Sequence, residues 1–185
     1  MTRETACAGL GGDRCGSVIP ALALILVLSL LPLTSHLSPL QAQSAPAAKV
    51  AQSLERIFGK GIQVDTAKVD TASVLRLSRA GVLLGFAQVR NVKGKDQPIT
   101  FLVAIDAMDA LKDVDILVYR EPHGGEVAYD SWRKQFRGKT TAAPLAVGRD
   151  IRNISGATIS SHSVTLGVRK TLANLTAWHA AGKIK

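Results

Sequence analysis

No cysteine occurs after Cys15 in this 185-residue chain, and aromatic residues make up only 4% of it. Without thiols, the stretch beyond residue 15 has no disulfide framework, no cysteine-ligated metal and no thiol nucleophile. So few aromatic rings argue against a surface that stacks nucleobases. Acidic residues are also in deficit, 14 against 23 basic ones, for a net charge of +9. That balance steers a domain towards anionic membrane surfaces, acidic partners or anionic ligands. No Gly-x-Ser-x-Gly elbow is present, and Ser161 and Ser163 are sequence neighbours of His162, which yields no triad geometry. The four histidines, His36, His123, His162 and His179, are scattered, so a metal site has no support. What the chain does have is apolar residues, 46% of the total, enough for a globular core.

The first 45 residues read as a targeting segment. Arg3 and Arg14 precede an uncharged apolar run from Val18 to Leu33, with Pro20 and Pro32 near its ends. A spanning helix needs roughly 20 apolar residues, and this shorter run suits the core of an export signal. Cleavage positions follow Ala42 and Ser44; an uncleaved N-terminal anchor is the other reading. Either one places residues 46–185 outside the cytoplasmic membrane, periplasmic or anchored facing outward, where nucleic acid is not an expected partner. Both cysteines precede the run, so neither has the context of a lipid-modified cysteine. Loss of the segment removes two residues of each sign (Arg3, Arg14, Glu4, Asp13) and leaves the charge unchanged.

The remainder divides into lead-in elements at 46–80 and a domain at 81–185. Ala47, Val50, Ala51, Leu54, Ile57 and Phe58 repeat at helical spacing, and Gly59 and Gly61 end the pattern. Strands are expected at Val82–Arg90, Ile99–Ala107 and Val114–Arg120, with one or two more from Gln63–Val69 and Ser73–Leu77. Asn91, Gly94, Asp96 and Pro98 mark a turn between the first two. Ile99, Phe101, Val103 and Ile105 share one face of their strand, while Leu102 and Ala104 make the other partly apolar, so both faces should be covered. Proline and two glycines in residues 121–125 impose a loop. Residues 129–139 suggest a short helix with Trp132, Gln135 and Phe136 on one side. From about Ser160 to Ala181, Val164, Gly167, Val168, Thr171, Leu172, Leu175 and Trp178 form one stripe of a long helix. The fold class is α+β: a small, mostly antiparallel central sheet flanked by an N-terminal and a long C-terminal helix.

Residues 154–163, ISGATISSHS, place small and hydroxyl-bearing residues at the start of that last helix. A Ser or Thr there caps the helix in the ordinary way. The same composition suits phosphate, since free N–H groups point outward, the macrodipole is favourable and small side chains let an anion approach.

Ser155-Gly156-Ala157-Thr158, followed by Ile159-Ser160-Ser161, resembles the flavinylation motif of the FMN-binding domain family, whose members include subunits of the sodium-pumping NADH:quinone reductase and of the Rnf complex. The resemblance runs over roughly residues 80–175. It takes in Val118 to Gly125, in the place of a strand and acidic-Thr-Pro-Gly-like loop, and Gln135 to Lys139, in the place of a Phe-x-Gly-Lys-like turn. It implies FMN as cofactor, passed from FAD to Thr158 by a FAD:protein FMN transferase with release of AMP. It further implies that Ser155, Gly156, Ala157, Ser160, Ser161, Glu121 and Gly124 line the cofactor site, with His123 in the same loop. Arg152 stands where the family motif has an Asp, and Asp150 is the nearest acid. Lys139, Arg149 and Arg152, if near the ring or phosphate, would favour reduced, anionic flavin; a solvated basic surface is the more ordinary reading of each. On the flavin reading the chain is an electron carrier working with redox partners at the membrane rather than a stand-alone enzyme. The alternative is a flavin-free module that docks a membrane complex or anionic partner through its basic face.

Overall fold

The computed structural model describes residues 47–185. The expected export segment, including its cleavage positions, lies outside the described residues. Among the described residues no helix is long and apolar enough to cross a membrane.

Five strands follow one another as an antiparallel meander, β1 (Gln63–Val69), β2 (Ala72–Arg79), β3 (Val82–Lys93), β4 (Pro98–Asp106) and β5 (Leu111–Val118), paired in sequence order. Short turns at 70–71, 80–81, 94–97 and 107–110 make this order the direct consequence of the chain's punctuation. The last turn is closed by Asp106, whose Oδ1 accepts the N–H groups of Met108 (2.9 Å) and Ala110 (3.0 Å).

Helix α1 (Ala47–Phe58) lies on one face of the sheet. Its Leu54 and Phe58 join Leu77, Ala87, Leu102, Ala104 and Leu117 in one buried layer. The long C-terminal helix, α3 (Thr158–Ala180), covers the other face, where Val164, Val168, Leu172 and Leu175 meet Phe86, Phe101, Val103 and Ile105. In β4 every residue from Ile99 to Ile105 is buried, as its two apolar faces require. α3 lies close on the sheet at Gly167, where a Cβ would sit 2.6 Å from Val92 Cγ1 and 2.7 Å from Phe101 Cζ. The expected stripe on α3 is buried from Val164 to Leu175, and Trp178 is half-buried.

The structure differs from the sequence expectation at element ends and in one element: β3 runs on to Lys93, taking in Asn91 of the expected turn as it pairs with β4, and β5 ends at Val118 rather than Arg120. β5 begins at Leu111, three residues earlier than the apolar run VDILV suggests, because Leu111 pairs with Ile105 of β4; its backbone also exchanges hydrogen bonds with Lys139 and Gly138 (2.8 and 2.7 Å). Residues 125–136 form three successive short turns rather than one helix: a 3-10 turn at Gly125–Ala128, α2 (Asp130–Arg133) and a 3-10 turn at Lys134–Phe136. Trp132 and Phe136 are nevertheless buried, packed edge to face at 5.1 Å between ring centres.

An ion-pair network joins these elements. Asp113 and Asp115 point to the α1 face of β5. Arg56 of α1 pairs with both, at 2.8 and 3.1 Å. Arg133 reaches Asp115 at 2.9 Å and donates to the Val114 carbonyl at 2.6 Å; Arg137 joins Asp113 to Asp130. Ser53 donates to Asp115 Oδ2 at 2.5 Å. Burial pushes the Asp113 carboxyl up, but hydrogen bonds from Arg56, Arg137 and the Val114 N–H outweigh it and hold it below the ordinary carboxylate range.

Asp113→Asn is therefore expected to destabilise the fold by about 2–3 kcal/mol, less than a fully buried orphaned charge costs because Arg56 and Arg137 stay partly solvated. Because the folded-state value is the lower one, the Asp113 contribution is complete above the unfolded pKa of about 4 and is lost as pH falls through the folded value. Urea unfolding between about pH 7 and 2.5 checks both: the wild type should lose stability more steeply below about pH 4 than Asp113→Asn.

Candidate functional site

The motif residues sit at one end of the sheet, where the β3–β4 turn, the loop after β5 and the start of α3 converge. Gly156 adopts a left-handed turn (φ +81°), and the Ala157 N–H closes it onto the Ile154 carbonyl at 3.0 Å. Ala157 is the N-cap residue of α3 and supplies no side-chain bond, so the first helical turn lacks the usual Ser or Asp cap. Thr158 opens the helix and is exposed. Its Oγ1 accepts a hydrogen bond of 3.1 Å from Asn153 Nδ2.

The neighbouring hydroxyls differ sharply in access. Ser155 is exposed, Ser160 is 5% exposed and Ser161 is fully buried. Ser161 Oγ has no hydrogen-bond partner among the described residues. Ser160 Oγ lies 2.9 Å from Tyr119 Oη, which also donates to the His123 carbonyl at 2.5 Å. Tyr119 thus ties the 121–125 loop to the first turn of α3. Burial, the largest effect, raises its phenol above the ordinary tyrosine value.

Gly124 completes this junction. It has φ +88°, and a Cβ there would lie 2.7 Å from Tyr119 Oη and 2.9 Å from Ala157 Cβ. Glu121 acts on the neighbouring turn. Its Oε1 accepts the N–H groups of Asp96 (2.8 Å) and Gln97 (3.0 Å), clamping the β3–β4 turn beside the loop. The Gln97 N–H foremost, with those of Asp96 and Lys95, holds its carboxyl below the ordinary range.

A groove of about 310 Å³ opens here, lined among others by Lys95, Glu121, His123, Ala157 and Thr158. A second depression of about 350 Å³ shares Pro122, His123 and Gly156 with it and adds Gly124, Ser155 and Tyr129, an aromatic side chain 62% exposed. Of the residues singled out from sequence, Ser155, Gly156, Ala157, Thr158, Ser160, Glu121 and Gly124 line one or both hollows; Ser161 lies beneath. Lys139 pairs instead with Asp150 at 3.0 Å, and Arg149 and Arg152 line a separate groove.

Tyr119, Tyr129, Asn153 and Lys95 were not singled out from the sequence. Lys95 sits in a turn that pairing of β3, β4 and β5 brings beside residue 121. Tyr119 follows an apolar strand and reads as its end. Both become site residues only through strand order.

The uncapped turn, the left-handed Gly156, the exposed hydroxyl and the nearby Lys95 ammonium together suit a phosphate ester. The hollows on either side of Pro122–His123 leave room for a larger group joined to it. Tyr119→Phe should leave the fold intact, with a loss of about 1 kcal/mol, but loosen the 121–125 loop against α3. Gly124→Ala should cost more, about 1–3 kcal/mol, from strain and collision. Thermal unfolding with hydrogen exchange at residues 121–125 and 156–160 distinguishes local loosening from global loss.

Residues 94–173 match the family model described as FMN-binding domain, from the β3–β4 turn to the middle of α3. No curated protein matched the chain. The matched stretch holds the whole hydroxyl-bearing turn, the 121–125 loop and the groove between them, and it belongs to one compact unit with α1 and the first three strands. Residues 94–173 are therefore an FMN-binding domain, with FMN as its cofactor.

Proposed function

We propose that FMN is carried as a phosphoester on Thr158, that a FAD:protein FMN transferase attaches it, and that the chain serves as an electron carrier outside the cytoplasmic membrane. The observation that carries this reading is the contrast within one helical turn: Thr158 is exposed at an uncapped helix start, while Ser160 and Ser161 are buried. In the transfer, Thr158 Oγ forms a bond to phosphorus as the bond to AMP breaks, and the hydroxyl proton leaves to a base; no electrons change hands. The first-turn N–H groups and helix dipole favour the phosphate charge. Bound flavin supplies one- or two-electron redox chemistry. The protein's share is to hold the tether rigid through Tyr119 and Gly124, with Lys95 placing a positive charge at the groove. A covalent tether suits a site where lost flavin is not readily replaced. The apolar run Val18–Leu33 supports export.

When the chain is produced with the transferase and exported, the tryptic peptide ending at Arg169 should carry the mass of FMN less water, and the denatured band should fluoresce. Thr158→Ala should abolish both. An unmodified peptide from transferase-exposed protein would overturn covalent attachment, and a labelled Thr158→Ala would move the acceptor to another hydroxyl. Fractionation of the producing cells tests the location.

A further inference from the structure

A wider groove of about 560 Å³ lies between α2 and the loop that leads into the motif, and it shares no lining residue with the Thr158 groove. Three of its lining residues, Lys134, Arg149 and Arg152, are exposed cations with no ion-pair partner among the described residues. Its one acid, Asp150, is neutralised by Lys139 at 3.0 Å and accepts the N–H groups of Leu145 (3.2 Å) and Ala146 (2.8 Å). Burial pushes the Asp150 carboxyl up, but those bonds outweigh it and keep it ionised within its pairing. The positive charge of the groove is therefore uncompensated.

The frame that presents these cations is tied across. Trp132 Nε1 donates to the Arg152 carbonyl at 2.8 Å, and the Arg152 N–H donates to Gln135 Oε1 at 2.8 Å. Gln135 Nε2 in turn donates to the Trp132 carbonyl at 2.9 Å. Each large apolar side chain exposed on the described surface (Val64, Val82, Met108, Tyr129, Ile159, Leu166) lies away from the groove lining. Membrane-surface binding combines cations with apolar groups that enter the headgroup region. A concave, charged groove without such groups fits a protruding acidic segment instead.

We propose that this groove docks an acidic segment of a partner protein, with Lys134, Arg149 and Arg152 facing its carboxylates. Uncompensated charge of this kind speeds encounter and selects partners by sign. Arg152 precedes Ser155 by three residues, at most about 10 Å of extended chain, so a docked partner lies beside the motif. That the partner exchanges electrons with FMN on Thr158 rests on the proposed flavin attachment; the docking does not.

The test uses the full chain made without the transferase, so that its result is independent of flavin attachment. A fluorescent octaglutamate peptide should bind by anisotropy, with affinity falling about tenfold or more between about 20 and 200 mM salt. Lys134→Glu/Arg149→Glu/Arg152→Glu should weaken binding at least about tenfold, and the charge-matched Lys60→Glu/Lys68→Glu/Lys185→Glu by no more than about twofold. Circular dichroism checks folding; if the triple variant does not fold, Arg149→Gln and Arg152→Gln should each weaken binding about twofold to fivefold. Absence of peptide binding, or equal loss in the two triple variants, overturns the proposal. A preference for phosphatidylglycerol over phosphatidylcholine vesicles that the groove variant abolishes, with peptide binding unaffected, assigns the groove to a membrane and overturns it as well.

Discussion

β4 is apolar on both faces, and a sheet built around such a strand needs a helix on each side. Four of its side chains, Ile99, Phe101, Val103 and Ile105, lie on the face that α3 covers. At roughly 1.5–3 kcal/mol for each fully buried apolar side chain, uncovering that face forfeits about 6–12 kcal/mol, comparable to the whole stability of a domain. α3 is therefore not free to drift. Gly167 brings it down onto Val92 and Phe101, and that docking determines where its first turn, with Thr158, comes to rest.

The opposite face is held by a different balance. α1 buries Leu54 and Phe58, but it also brings Arg56 to two aspartates on β5. Asp113 and Arg133 have side chains only 5% and 9% exposed, a burial that would be costly for either charge alone. Pairing of Asp113 with Arg56 and Arg137, and of Arg133 with Asp115, lets charged residues alternate along a strand that a local reading begins later. The same arginines anchor residues 130–137 against β5, and Trp132 then holds the loop around Arg152. The frame behind the motif is thus linked through the sheet to α1.

At the site, polar chemistry divides into what builds the junction and what faces outward. Glu121 closes a turn, Tyr119 joins a loop to a helix, and Ser160 accepts a place in that joint. Thr158 and Ser155 remain at the surface. This division explains why a run of similar hydroxyls has members with different access: helical geometry turns residues 160 and 161 towards the sheet, while 158 begins the first turn.

Periodicity in the sequence alone determined the strands, the two long helices, the apolar stripe of α3, the two covered faces of β4 and the location of the motif at a helix start, but not the broken turns at residues 125–136. These are local properties, legible because spacing of 2 or 3.6 residues maps directly onto faces. Tertiary structure decided which hydroxyl is exposed, that Lys95 lies in the groove with residue 121, and that Lys139 pairs with Asp150 while Arg149 and Arg152 face a groove of their own. Those facts depend on contacts between residues far apart in the chain, such as Tyr119 with Ser160 and Arg56 with Asp113. No local pattern carries them, because each arises only once the strands have paired and both helices have closed on the sheet.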